Sequence, residues 1–185
     1  GTLGVPPEFF RRMRDAGITL LAFNPVNPAK ARGKWAINNR DHRKLLVVDG
    51  SVAFTGGINI SEDYANSSLF RSRKRTPRNG DIGWRDTHIR IEGPAVAAMQ
   101  WSFIDNWVHQ VAGELPKANY FPKLKPAGDK VLRVLATRPN TGFEIYKAFM
   151  VAIQEAKKSI HITPAYFVPD RQIVDALGAA ARRGV

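Results

Sequence analysis

Apolar residues change their spacing several times along the chain, and each change marks an element. Phe9, Phe10 and Met13 share one face of a helical repeat that opens after Pro6 and Pro7 and stops at Gly17. Residues 18–23, apolar but for Thr19, then read as a buried strand. A loop rich in Pro, Asn and Lys, residues 24–40, leads to two β-branched runs, 44–48 and 52–55. They flank Asp49-Gly50, a dipeptide that favours a tight turn, so a hairpin is predicted. Residues 87–91 alternate as a strand. Gly93-Pro94 opens a helix with Val96, Met99, Phe103, Ile104, Trp107, Val108 and Val111 along one stripe. Residues 113–130, rich in Pro, Lys and Gly, read as a linker, followed by a strand at 131–136. Thr141 and Glu144 have capping-box spacing for a helix bearing Ile145, Phe149, Ala152, Ile153 and Ala156. A strand at 160–163 precedes a helix capped by Asp170 and carrying Ile173, Val174 and Leu177. Helices alternating with strands predict an α/β layered fold, divided into 1–130 and 131–185.

The opening pattern returns at the end. An Arg-containing helix halted by Gly17 before Ile18 is matched by Ala180 to Arg183, Gly184 and Val185. His42 lies about 25 residues after Gly17, so the equivalent position of a second unit falls beyond Val185. The chain is therefore expected to hold one unit and the beginning of another.

Charge narrows the partners. Lys and Arg number 28 against 16 Asp and Glu, a net +12, which favours polyanions such as acidic lipid headgroups or nucleic acid. No cysteine is present, so neither a disulfide framework nor thiolate chemistry is available. No apolar run reaches the roughly 18 residues of a membrane-spanning helix, so membrane contact by this stretch is expected to be peripheral. No phosphate-binding G-x-x-x-x-G-K or G-x-G-x-x-G occurs, and no His, Asp and Glu cluster has metal-ligand spacing. Neither cofactor nor metal is expected.

The chemistry concentrates between residues 41 and 59. Asp41-His42-Arg43-Lys44-Leu45-Leu46-Val47-Val48-Asp49 has the form H-x-K-x-x-x-x-D, and Gly56-Gly57-Ile58-Asn59 follows. On a strand His42 and Lys44 point to one face, setting an imidazole beside an ammonium. That pairing suits nucleophilic attack on a phosphate whose oxygens a cation holds. Gly56 and Gly57 let backbone approach an anion, and Asn59 offers side-chain N–H groups to its oxygens. Asp49 reads equally well as a motif carboxylate and as a turn residue. His109 on a helix and His161 on a strand read as structural, and neither they nor His88 are followed by Lys at the second position.

These residues resemble the phospholipase D superfamily, and within it the bacterial cardiolipin synthase branch. The likeness rests on Asn39 to Leu45, Ala53 to Ile60, Trp84 to Pro94 and Tyr166-Phe167-Val168-Pro169-Asp170. It implies an α/β/α layered sandwich, present here in part. It implies that His42 forms a phosphohistidine intermediate, that Lys44 and Asn59 hold phosphate, and that Asp86 orients the imidazole. Asp49 carries over as a motif member, and Gly57 stands where many members have Ser. Family enzymes use two such motifs, the second supplying the His that protonates the leaving alcohol. The implied reaction moves a phosphatidyl group from one phosphatidylglycerol to another, giving cardiolipin and glycerol, at the bacterial cytoplasmic membrane. Arg71, Arg73, Lys74, Arg75 and Arg78 form a basic run suited to anionic headgroups or to a solvated loop. The rival readings are a nuclease of the same superfamily, which +12 also suits, and an inactive membrane-binding module. The missing second half of the same polypeptide is the expected partner.

Overall fold

In a computed structural model, residues 4–23, 41–60, 86–110, 115–137 and 142–185 are described. Among them the order is α1 (Pro7–Asp15), β1 (Leu45–Val48), β2 (Val52–Gly56), β3 (His88–Glu92), α2 (Ala95–Gln110), α3 (Glu144–Glu155) and α4 (Arg171–Arg182). The chain divides into two compact units, Gly1–Leu132 and Arg133–Val185.

In the first unit the hairpin forms as its turn chemistry dictates. Asp49 and Gly50 both take positive φ, 52° and 62°, and Ser51 N–H donates to the Val48 carbonyl at 3.0 Å. The turn is also buttressed from outside. A Cβ at Gly50 would lie 2.7 Å from Pro122 Cδ and 2.8 Å from the Tyr120 carbonyl. Residues 118–127 are thus irregular but packed, with Leu124 against the core, rather than a free linker.

The three strands pair antiparallel in the order β1-β2-β3, with Val47 opposite Ala53 and Ala53 opposite Ile91. That row faces α2, where fully buried Val96 completes the core. The α2 stripe departs from expectation. Gln100 is buried, while Phe103 and Val108 are 43% and 55% exposed, and Val111 lies outside the described residues. A 16-residue helix is about 24 Å long, whereas strands of this length span roughly 15 Å, so the C-terminal turns of α2 overhang the sheet.

The second unit is a helix pair. Ile153 of α3 packs on Ala176 and Ala180 of α4, flanked by Met150, Ile160, Ile173, Leu177 and Val185. Asp170 caps α4 by accepting from Ile173 N–H at 2.9 Å, and also accepts from the Tyr146 hydroxyl at 2.8 Å, which ties the two helices. The expected capping box does not form. Phe143 stands at the N-cap of α3 with no side-chain cap, and Thr141 lies outside the described residues.

The two helix ends that look alike in sequence are alike in structure. Gly17 and Gly184 adopt φ of 84° and 86°. Ile18 N–H bonds back to Met13 and Gly17 N–H to Arg14, as Val185 bonds to Ala180 and Gly184 to Ala181.

Three expected strands, 18–23, 131–136 and 160–163, are not strands in this structure. A β-branched run becomes a strand only where a neighbour completes its ladder, and among the described residues none does so. The fold is mixed α/β with an antiparallel sheet. Within the first unit α2 covers one face of that sheet, and Leu46 and Val48 are exposed on the other.

Candidate active site

The segment leading into β1 alternates faces, and the alternation sorts its residues by task. Lys44 reaches His42, whereas Asp41 and Arg43 reach each other and α2. On the first side the Lys44 ammonium lies 3.1 Å from His42 Nδ1 and 3.3 Å from Nε2. It also donates to the His42 carbonyl at 2.8 Å. His42 is exposed and Lys44 half-buried, so an imidazole and a cation are presented together at an open surface.

The opposite side is anchored to α2. Arg43 Nε and Nη2 each donate to the Asp41 carboxylate at 3.0 Å, as a fork, and Arg43 N–H adds a bond of 2.9 Å. Arg43 Nη1 donates to Ser102 Oγ at 2.7 Å and Nη2 to Asn106 Oδ1 at 2.5 Å. The Asn106 amide in turn donates to Asp41. Burial pushes the Asp41 carboxyl up, but the bonds and charge of Arg43, with help from Asn106, outweigh it and hold the group below its ordinary value. The sequence reading passed over this network. Its signal was present in the alternation of Asp41 and Arg43 and in the one-turn spacing of Ser102 and Asn106.

The glycine pair has a steric task. A Cβ at Gly56 would lie 2.3 Å from the Thr87 carbonyl, and one at Gly57 would lie 2.0 Å from Asp86 Oδ1. Gly57 N–H donates to the Thr87 carbonyl at 3.0 Å. The pair therefore lets the end of β2 run tightly against residues 86–88, with the Asp86 carboxylate lying on Gly57. No hydrogen bond joins Asp86 to His42 among the described residues. His88, paired with Gly56, has a buried Nδ1 with no hydrogen-bond partner among the described residues. Asn59 is exposed beyond β2.

Asp49 is not brought to this group. It occupies the turn at the far end of β1, about 20 Å from His42 at roughly 3.3 Å per residue. Arg71, Arg73, Lys74, Arg75 and Arg78 lie outside the described residues. His109 Nδ1 sits 2.7 Å from the Asp105 carbonyl on α2, and His161 is exposed in an irregular stretch.

The chain is similar over its whole length to cardiolipin synthases. It is 34% identical over 189 residues to that of Alkalihalophilus pseudofirmus and 35% identical over 191 residues to that of Halalkalibacterium halodurans. It is 33% identical over 192 residues to the major cardiolipin synthase of Bacillus subtilis. Each alignment covers 100% of this chain, and 35%, 35% and 36% of the relatives respectively. The chain is thus similar to cardiolipin synthases along all of its residues. It spans about a third of the length of the curated relatives it matches. No family profile matches it, and no solved structure matches it. Among the described residues, no helix is long and apolar enough to cross a membrane.

Proposed function

We propose that the chain is the first catalytic half of a phosphatidyltransferase of the cardiolipin synthase type. The observation that carries this reading is the Lys44 ammonium 3.1 Å from the His42 ring on one exposed face, in a chain similar over its length to cardiolipin synthases. In this reading the His42 ring attacks the phosphorus of a phosphatidylglycerol. A P–N bond forms, the P–O bond to glycerol breaks, and glycerol leaves with a proton supplied by a general acid. The hydroxyl of a second phosphatidylglycerol then attacks, breaking the P–N bond, losing its proton and giving cardiolipin. Lys44 and Asn59 hold the phosphoryl oxygens, Gly56 and Gly57 keep the backbone close, and Asp86 swings from Gly57 to the imidazole when substrate binds. Asp49 serves the turn.

The α/β/α sandwich belongs to the same reading, with 1–130 as its first half and 131–185 as the start of the second. So does peripheral attachment to an anionic membrane, assisted by the basic run 71–78, where each cation is worth about 1 kcal/mol.

The test uses bis(4-nitrophenyl) phosphate, whose nitrophenolate departs without a proton. Attack by His42 should form one P–N bond, break one P–O bond and leave a labelled protein. The adduct should be lost in acid and survive alkali, and His42→Ala should abolish it with the circular dichroism spectrum unchanged. Labelling that survives in His42→Ala would overturn the reading.

A further inference from the structure

Arg43 stands between His42 and Lys44, where its charge would seem destined for the phosphate; its contacts give it another task. Its Nε, Nη1 and Nη2 are all engaged, with Asp41, Ser102 and Asn106. A guanidinium is a rigid planar fork, so these bonds fix both its position and the backbone it hangs from. The partners come from two sources. Asp41 belongs to the same strand lead, whereas Ser102 and Asn106 lie one turn apart on α2, which is itself packed on the sheet through Val96. The network is also closed, because the Asn106 amide accepts from Arg43 and donates to Asp41. Asp41 is ionised and faces Arg43 in a partly buried setting, its side chain 19% exposed, so the pair is held in one geometry rather than loosely solvated.

We propose that Asp41, Arg43 and Asn106 form a clamp that positions His42 and Lys44, with α2 as its base and Arg43 taking no part in holding the substrate's phosphate. The inference rests on the catalytic reading of His42 given above. Its physical content is the two-residue period of the strand lead. Fixing Asp41 and Arg43 on one side fixes His42 and Lys44 on the other, because consecutive side chains are separated by one peptide each. Residues 41–44 precede the first ladder pair at Leu45 and have no strand partner among the described residues, so the clamp is what holds them there.

The clamp separates charge from shape, and so does the test. Arg43→Lys keeps the positive charge and loses the fork, while Asn106→Ala removes the tie to α2 and leaves the charges untouched. Two measurements are made on the 185-residue chain. One is the rate of His42 labelling by bis(4-nitrophenyl) phosphate. The other is the His42 ring resonance in NMR spectra, without substrate and on titration with inorganic phosphate. Both variants should slow labelling on the order of 10-fold to 100-fold, the range expected when a reacting group is misplaced by about 1 Å. Both should also shift or broaden the His42 resonance before phosphate is added, with the hairpin and helix signals retained. The double variant should be little worse than either single one, since both break the same network. Wild-type labelling and an unmoved His42 resonance in Arg43→Lys would overturn the clamp, leaving Arg43 as a charge that Lys replaces. If the parent chain forms no adduct at all, the catalytic reading fails, and the resonance of His42 in the two variants still decides the clamp.

Discussion

At the scale of single residues, tight backbone contacts, more than side-chain charge, govern what this site tolerates. Gly57 shows the point. Its missing Cβ is where the Asp86 carboxylate rests, at 2.0 Å from the ideal position. Any side chain there must push Asp86 away, and because Asp86 is exposed and ends in a short rotatable side chain, the displacement is cheap in stability. Gly57→Ala should therefore change folding stability by no more than about 0.5 kcal/mol, the usual range for surface positions. It should nevertheless alter the rate of His42 labelling, since in the proposed mechanism Asp86 must reach the imidazole from this resting place. Equal labelling rates in Gly57→Ala and the parent would remove Asp86 from the mechanism. Gly50 behaves oppositely. There the clash is with Pro122 and the Tyr120 backbone and φ is 62°, so nothing can swing aside and the effect should fall on stability.

At the scale of elements, local chemistry was readable and pairing was not. The Asp49-Gly50 turn, the Gly17 and Gly184 helix stops and the Asp170 cap are each decided within a few residues, and each appears as the sequence implies. The runs 18–23, 131–136 and 160–163 have strand composition but lack ladder partners among the described residues, which no local pattern encodes. The clamp was passed over because Arg43 and Asn106 are 63 residues apart, and the local spacings at 41–43 and 102–106 do not show that the two segments meet. Asp170 gives this scale its prediction. First the Ile173 N–H and then the Tyr146 hydroxyl hold its carboxyl below the ordinary 3.8. A carboxylate with a depressed folded value contributes stability above its unfolded value, and that contribution is lost as pH falls through the folded one. As pH falls through and below the ordinary carboxylate range, then, the parent should lose α4 helicity more than Asp170→Ala does, while at neutral pH the variant should have the lower melting temperature. Parallel pH profiles by circular dichroism would show that the cap contributes nothing. The fold of the second unit should also depend on Ile153, whose truncation to Ala should cost about 2 to 5 kcal/mol by urea unfolding.

At the scale of the whole molecule, the question is what the 185-residue chain can do by itself. Neutralising Arg71, Arg73, Lys74, Arg75 and Arg78 should weaken binding to vesicles of anionic lipid and flatten its salt dependence. Unchanged vesicle binding would make that run a bystander. The decisive property is catalytic. An alkoxide leaving a phosphodiester needs a proton, and general acid help is typically worth about 10² to 10⁴ in rate. Lys44 is committed to the phosphate in the proposed mechanism, His109 bonds within α2, and His161 is not followed by Lys at the second position. His88 pairs beside Gly56 with its Nδ1 buried, and it too lacks a Lys at the second position. We therefore expect the 185-residue chain to react with bis(4-nitrophenyl) phosphate, which needs no acid, and to be silent or nearly so toward phosphatidylglycerol vesicles. Adding a polypeptide that carries a second H-x-K-x-x-x-x-D motif should raise turnover of phosphatidylglycerol by the factor that the acid supplies. The opposite outcome is equally specific. If the chain alone turns over phosphatidylglycerol as a dimer, measured by mass in solution alongside activity, then His42 of one copy is the nucleophile and His42 of the other is the acid. In that case the reading of 131–185 as the start of a second half falls.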